Sequence, residues 1–308
     1  MKMNYPASKE TFIPELPKND NTLRLTHGLG LSLLILALCF IGMMLIAATL
    51  IGGITLALPA ESPSFLYSSV TIQGIIGFIG TSILTAILVS KKPLYLLGIA
   101  KAPGIKPVAG IITAYIIAIP MLNQIIYWNS NMHLPASMAE FENILRQMED
   151  ANSTVSQNLL NGKSIWTLLL GVSIIGLLTG LSEELLFRGT LQRILGSKGA
   201  KIAAIWISAF IFSTIHFQFF GFVPRLLLGA WFGYILLWTG STWNCAIAHA
   251  INNSMVVIVT WISNQGLNVE ALDNWGVSTS GFPIMASVSG LIFILFILYC
   301  RKYFFYGK

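Results

Sequence analysis

A chain of 308 residues with 55% hydrophobic and 10% charged residues and a mean hydropathy of +0.74 lies outside the soluble globular class, in which about a quarter of residues carry charge. Its net charge of +6 comes from Lys and Arg that sit mostly beside apolar runs, a pattern of membrane orientation and not a nucleic-acid footprint. The chain is predicted to be an all-α, polytopic integral membrane bundle of about eight transmembrane helices.

Residues 1–28 hold Lys2, Lys9, Lys18 and Arg24 together with Glu10, Glu15 and Asp20, several prolines and no apolar core. They read as a cytosolic N-terminal tail, not a cleavable signal peptide. The region 29–164 offers three apolar windows, near Leu31 to Ala57, Phe65 to Val89 and Val108 to Tyr127, each about the 20 residues that a span needs.

The long loop from Trp128 to Ser164 contains Ser137-Met138-Ala139-Glu140, a capping-box pattern, with Met138, Phe141, Leu145 and Met148 at helical spacing. An amphipathic helix is expected over 137–150, covering the bundle on its outer face with the apolar stripe buried.

Five further windows follow, near Ile165 to Leu186, Ile202 to Phe219, Phe222 to Trp238, Trp243 to Ile262 and Pro283 to Cys300, in a membrane region at 165–303 that ends in a tail at 304–308. With the N-terminus inside, Lys91, Lys92, Lys101, Lys106, Arg188, Arg193, Lys198, Lys201, Arg301, Lys302 and Lys308 all fall on the cytosolic side. Only Arg146, Lys163 and Arg225 fall opposite. The positive-inside rule therefore favours both termini in the cytosol. Cys39, Cys245 and Cys300 lie in three different spans without metal-ligand spacing, and are expected as free buried thiols.

Ionisable groups inside a span are functional candidates by default. On a helix Glu184 and Arg188 share a face, which makes them a structural ion pair, while Glu183 is rotated away and is left as the reactive carboxylate. His249 and Asn253 share a face in the same way, and two donors aimed at one point suit an oxyanion. His216, alone on its span, is the natural partner of Glu183 in holding and deprotonating a water. Asn252 and Ser254 are off this register and are expected to pack between helices, while His27 and His133 are expected as surface residues.

These residues carry a resemblance. Glu183-Glu184-xxx-Arg188, Phe212-xxx-His216 and His249-xxx-Asn253, in that order on hydrophobic spans between Ile165 and Trp261, look like the three motifs of the CPBP (Abi) family of intramembrane proteases, which includes the type II CAAX prenyl endopeptidases. The resemblance implies an eight-helix membrane fold and a glutamate-dependent peptidase, with 165–303 as its catalytic membrane domain. In it Glu183 and His216 would activate water, His249 and Asn253 would stabilise the oxyanion, and Glu184 and Arg188 would support the site. It implies a peptide or protein substrate, CAAX-like, lipid-modified or otherwise membrane-anchored, with membrane lipids as the other partner and no nucleic acid.

No cofactor is called for. Two histidines and a glutamate are also a zinc set, which leaves a divalent metal open, although no HExxH occurs. No GxSxG turn supports serine catalysis, and Asp20, Asp150 and Asp273 lie outside the spans, against aspartyl chemistry. The rivals are a non-catalytic immunity or scaffold protein and, less favoured for want of a second charged half, a proton-coupled transporter. A bacterial inner membrane is the expected location.

Overall fold

A computed structural model describes residues 25–305. Most of the expected N-terminal tail, and the last residues of the C-terminal one, lie outside the described residues. Helices α1 (Leu29–Ile54), α2 (Pro63–Val89) and α3 (Ile105–Ser130) come first. A surface helix follows, α4 (Ala139–Leu160). The second half is α5 (Ile165–Lys198), α6 (Lys201–Thr214), α7 (Phe219–Thr239), α8 (Thr242–Asn264) and α9 (Ile284–Tyr303). Among the described residues the only β pairing is an isolated bridge between Leu25 and Ser90. The protein is an all-α integral membrane bundle, as expected.

Seven of these helices are long and apolar enough to cross a membrane. Their lipid-facing character shows in α1, whose leucines and isoleucines at 31, 34, 38, 41, 45 and 46 are exposed while Ser32, Leu36, Cys39 and Ala47 are buried. Small and polar groups turned inward, with large apolar groups turned out, follow from a solvent as apolar as leucine itself. Cys39, Cys245 and Cys300 are free and buried.

Two spans differ from expectation. α5 does not stop near Leu186 but runs on to Lys198, and its 34 residues rise about 51 Å at 1.5 Å each. Glu183, Glu184 and Arg188 therefore sit in its interior, and Arg188 is fully buried instead of belonging to a basic loop. α6, expected to run to Phe219, ends after 14 residues at Thr214, so His216 lies in the turn beyond it. Phe217 there takes a φ of 52°, a left-handed conformation that is costly for a bulky residue and ends the helix without glycine or proline.

One end of the bundle is knitted by side chains at the turn between α7 and α8 that donate to backbone carbonyls of the segment before α3. Thr242 donates to the Leu97 carbonyl at 2.6 Å, Ser241 to Lys101 at 2.6 Å, and Trp243 Nε1 to Ile99 at 3.1 Å. Arg193 Nη2 closes the same corner on the Gly240 carbonyl at 2.8 Å.

At the other end lies α4, built differently from its expected form. It starts at Ala139 with no side-chain cap, so Ser137 does not form the capping box. Its face toward the protein carries Glu142, Arg146 and Glu149, while Phe141, Ile144 and Met148 are 50%, 53% and 39% exposed. Of the expected stripe, Met138, Phe141 and Met148 are exposed and Leu145 is half-buried; of the charges, Glu142 is buried and Arg146 and Glu149 are half-buried, while Glu140 and Asp150 are exposed. His133 is a surface residue, as expected, and its Nδ1 lies 3.0 Å from Glu142 Oε1, which also binds Arg146; Leu134 N–H donates to Glu142 Oε2 at 2.7 Å.

Candidate active site

α5 sets the site through a local change of winding. Regular α-helix over Thr179–Glu184 passes into wider, i to i+5 turns over Leu185–Gln192, and the Thr190 hydroxyl donates to the Leu185 carbonyl at 2.9 Å. Such π-type turns inside α-helices recur at functional sites. Across this junction Glu184 Oε1 and Arg188 Nη1 form a fully buried ion pair at 2.8 Å, the pair that their spacing predicts.

The same oxygen, Glu184 Oε1, lies 2.9 Å from His249 Nδ1 on α8. The other imidazole nitrogen, Nε2, faces Glu183 Oε2 at 3.7 Å, too long for a direct hydrogen bond. His249 thus stands between the two glutamates. With Nδ1–H given to Glu184, Nε2 is the nitrogen left facing Glu183, bare when the ring is neutral and an N–H donor when it is protonated.

Aromatic rings fix the imidazole plane. Phe232 of α7 stacks on it at 5.1 Å and 24°, and Phe212 of α6 meets it edge-on at 5.7 Å and 87°. The same rings flank the buried cation, with Arg188 Cζ at 4.7 Å from the Phe212 centroid and 5.5 Å from that of Phe232. Desolvated cation–π contacts of this kind contribute on the order of 2 kcal/mol.

Two glycines on α7 complete the support. Arg188 Nη2 donates to the Gly229 carbonyl at 2.8 Å, and Gln192 Nε2, one helical turn on, to the Gly233 carbonyl at 3.0 Å. A β-carbon at Gly229 would stand 3.1 Å from Arg188 Nη2, and one at Gly233 would stand 2.8 Å from Gln192 Oε1. On the opposite flank, a β-carbon at Gly180 would meet the Ala250 backbone nitrogen at 3.0 Å, so α5 and α8 touch one turn before Glu183.

His216 and Asn253 sit further out. His216 is half-buried, its Nδ1 is 2.7 Å from the Phe212 carbonyl, and its ring meets that of Phe212 edge-on at 5.0 Å. Nδ1 carries a proton in that contact, which leaves Nε2 as an acceptor when the ring is neutral. No hydrogen bond or ion pair joins His216 to Glu183 among the described residues; Phe212 touches both histidine rings. Asn253 is one turn beyond His249 as expected, but its amide donates to the Ile175 carbonyl of α5 at 3.2 Å and its Oδ1 accepts from Asn252 at 3.2 Å. Asn252 also lies 3.4 Å from the Tyr115 hydroxyl, in line with a packing role.

The structure therefore brings Glu183, Glu184, Arg188 and His249 into one buried cluster, with His216 and Asn253 at its edge. Sequence reasoning missed the bond from Glu184 to His249, the Phe232 stack and the two glycine carbonyls. The glycines had a signal: Gly229-Ala-Trp-Phe-Gly233 has the small-xxx-small spacing of close helix contacts, matched by Arg188 and Gln192 at the same spacing.

Residues 165–255 match the family model described as type II CAAX prenyl endopeptidase Rce1-like. That stretch spans α5 to the middle of α8 and holds all six residues, and it assigns this membrane region to the CAAX protease family, a family of peptide hydrolases. No curated protein and no solved structure matches the chain.

Proposed function

We propose that this protein is an intramembrane endopeptidase in which Glu183 and His216 activate a water and His249 with Asn253 receives the oxyanion. The observation that carries the reading is the placement of His249, held by the Glu184 carboxylate at Nδ1 and by two aromatic rings, with Nε2 aimed at Glu183. A histidine fixed this way offers its free nitrogen to a reacting atom with no reorganisation, the basis of electrostatic stabilisation in a site shielded from water.

Water gives a proton to Glu183, assisted by the acceptor nitrogen of His216, as its oxygen bonds to the scissile carbonyl carbon. The carbonyl oxygen, now negative, is met by the N–H of a protonated His249 and by the Asn253 amide, which exchanges its Ile175 contact for the substrate. The captured proton passes to the leaving amine as the C–N bond breaks. Glu184 and Arg188 touch no reacting atom; they orient and counterbalance His249. No resident cofactor enters the scheme.

The substrate class follows from the family's description: a CAAX-like or otherwise membrane-anchored peptide, with its scissile bond brought to the bundle interior. A bacterial inner-membrane location accompanies this reading, with both termini cytosolic, an orientation that the distribution of Lys and Arg supports.

The test is cleavage of a peptide library by the purified protein. Glu183→Gln and His216→Ala are expected to lower kcat by about 10²-fold or more while the protein stays folded, and added chelator is expected to leave the rate unchanged. Full cleavage by Glu183→Gln overturns the assignment.

A further inference from the structure

His216 belongs to no helix. It lies in the turn between α6 and α7, next to Phe217 in its left-handed conformation, and its own hydrogen bond to Phe212 ties it only to the helix it has just left. Ser213 of α6 closes the turn by donating to the Phe222 carbonyl at 2.7 Å, and the position of His216 relative to Glu183 depends further on what holds the start of α7 ahead of that bond.

That start has no cap of its own: no side chain of the turn caps the first N–H groups at Phe219–Gly221. Partners come from elsewhere. Glu149 of α4 accepts the Phe220 N–H at 3.0 Å through Oε2. Asn129 of α3 accepts the Val223 N–H at 2.8 Å and donates to the Phe219 carbonyl at 3.3 Å. Arg146, one turn before Glu149, lies over the Phe220 ring with Cζ 3.9 Å from its centroid, and is itself held by Glu142. On α7, Arg225 donates to Gln218 Oε1. A carboxylate at a helix start satisfies an orphan donor and opposes the positive end of the helix dipole.

We propose that Glu149 is a positioning residue for His216, acting through the Phe220 amide, and that the inward charged face of α4 exists to hold this turn. The inward charges of the helix are then accounted for: Glu142, Arg146 and Glu149 are one stripe at helical spacing, and its last two members grip Phe220 by ring and by amide. The proposal rests on the peptidase reading for the role of His216, but not for the contact itself.

Three variants of the full-length protein in detergent or nanodiscs test it: Glu149→Leu, Glu149→Gln, whose amide oxygen still accepts, and Glu149→Ala in case leucine is not accommodated. Hydrogen exchange of the peptide containing Phe220 is expected to be slow in the wild type and in Glu149→Gln, and to speed up in the other two. Peptide cleavage is expected to show kcat reduced about tenfold or more in Glu149→Leu with KM within about twofold, because displacement of a reacting group by about an ångström slows the chemical step. Glu149→Gln is expected to restore most of kcat.

Unchanged exchange in both Glu149→Leu and Glu149→Ala overturns the clamp, and faster exchange with undiminished kcat overturns the positioning role. Cleavage that survives Glu183→Gln instead sinks the peptidase reading, and the exchange result still decides whether Glu149 holds the turn.

Discussion

His249 takes its orientation from Glu184: Nδ1 and Oε1 stand 2.9 Å apart, whereas the nearest approach to Glu183 is 3.7 Å. Two adjacent carboxylates thereby take different work. Glu184 is spent on Arg188 and on the imidazole, and Glu183 keeps its oxygens for whatever enters the site.

Substitutions at the two glutamates should separate stability from activity. Glu184→Ala strands a fully buried Arg188, and breaking a buried pair from one side costs about 3–5 kcal/mol. Glu183→Gln leaves the Glu184 contact and both aromatic contacts of His249 in place. Thermal unfolding in detergent is expected to show a large drop for Glu184→Ala and little change for Glu183→Gln. Equal unfolding temperatures for the two would contradict this division.

Gly180→Ala is expected to damage the site without touching a functional group. The added β-carbon would meet the backbone of Ala250 at 3.0 and 3.2 Å, and backbone cannot rotate away as a side chain tip can. The helices must part, moving Glu183 from His249, at about 1–3 kcal/mol of overpacking. Measured by cleavage and unfolding together, it should lower both; a fully active variant would show that the α5–α8 contact has slack.

Asn253→Ala distinguishes two roles by size. As an oxyanion donor the amide contributes about 10²–10³ in kcat. As a helix contact to Ile175 alone, its loss costs about 1 kcal/mol of stability and leaves kcat intact. The kinetic loss is the expected outcome, and a purely thermal effect would return Asn253 to packing.

Acid should loosen α4 only late. Hydrogen bonding from the Leu134 N–H first, then from Arg146 and His133, holds the Glu142 carboxyl down to about 2 from an ordinary value of 4.5. A carboxyl lowered on folding stabilises the folded state above its unfolded value and loses that contribution as pH falls through the folded one. The attachment of α4 is therefore expected to be constant from neutral pH to about 4.5 and to weaken from there toward about 2. Proteolysis of α4 with an acid-active protease reads this; Glu142→Gln should reduce the acid dependence, Glu149 remaining as a second carboxylate contact of α4.

The helices and the ion pair were legible because they depend on local spacing. Glu184 and Arg188 meet through one helical turn, and any apolar window of sufficient length must satisfy its backbone internally. The bond from Glu184 to His249 depends instead on how α5 and α8 are rotated about their own axes, which the spacing within each helix leaves undetermined. The early end of α6 had no signal either, since the break falls at Phe217 without glycine or proline. The outward turn of most of the α4 stripe has a physical reason: in water an apolar stripe seeks the protein, but beside a bilayer it has no such preference. Met138, Phe141 and Met148 are exposed, and only Leu145 of the stripe is half-buried.

The buried ion pair also bears on how the molecule is made. α5 leaves the ribosome with Glu183, Glu184 and Arg188 before Gly229, Phe232 and His249 have been synthesised, and each such charge at the centre of a lone span costs about 2.5–3.5 kcal/mol on insertion scales. Only the internal Glu184–Arg188 pair offsets this at first. Stable residence of α5 in the bilayer therefore waits for α7 and α8, so that a chain truncated before residue 229 should be a substrate for membrane quality control, while one that includes His249 should not.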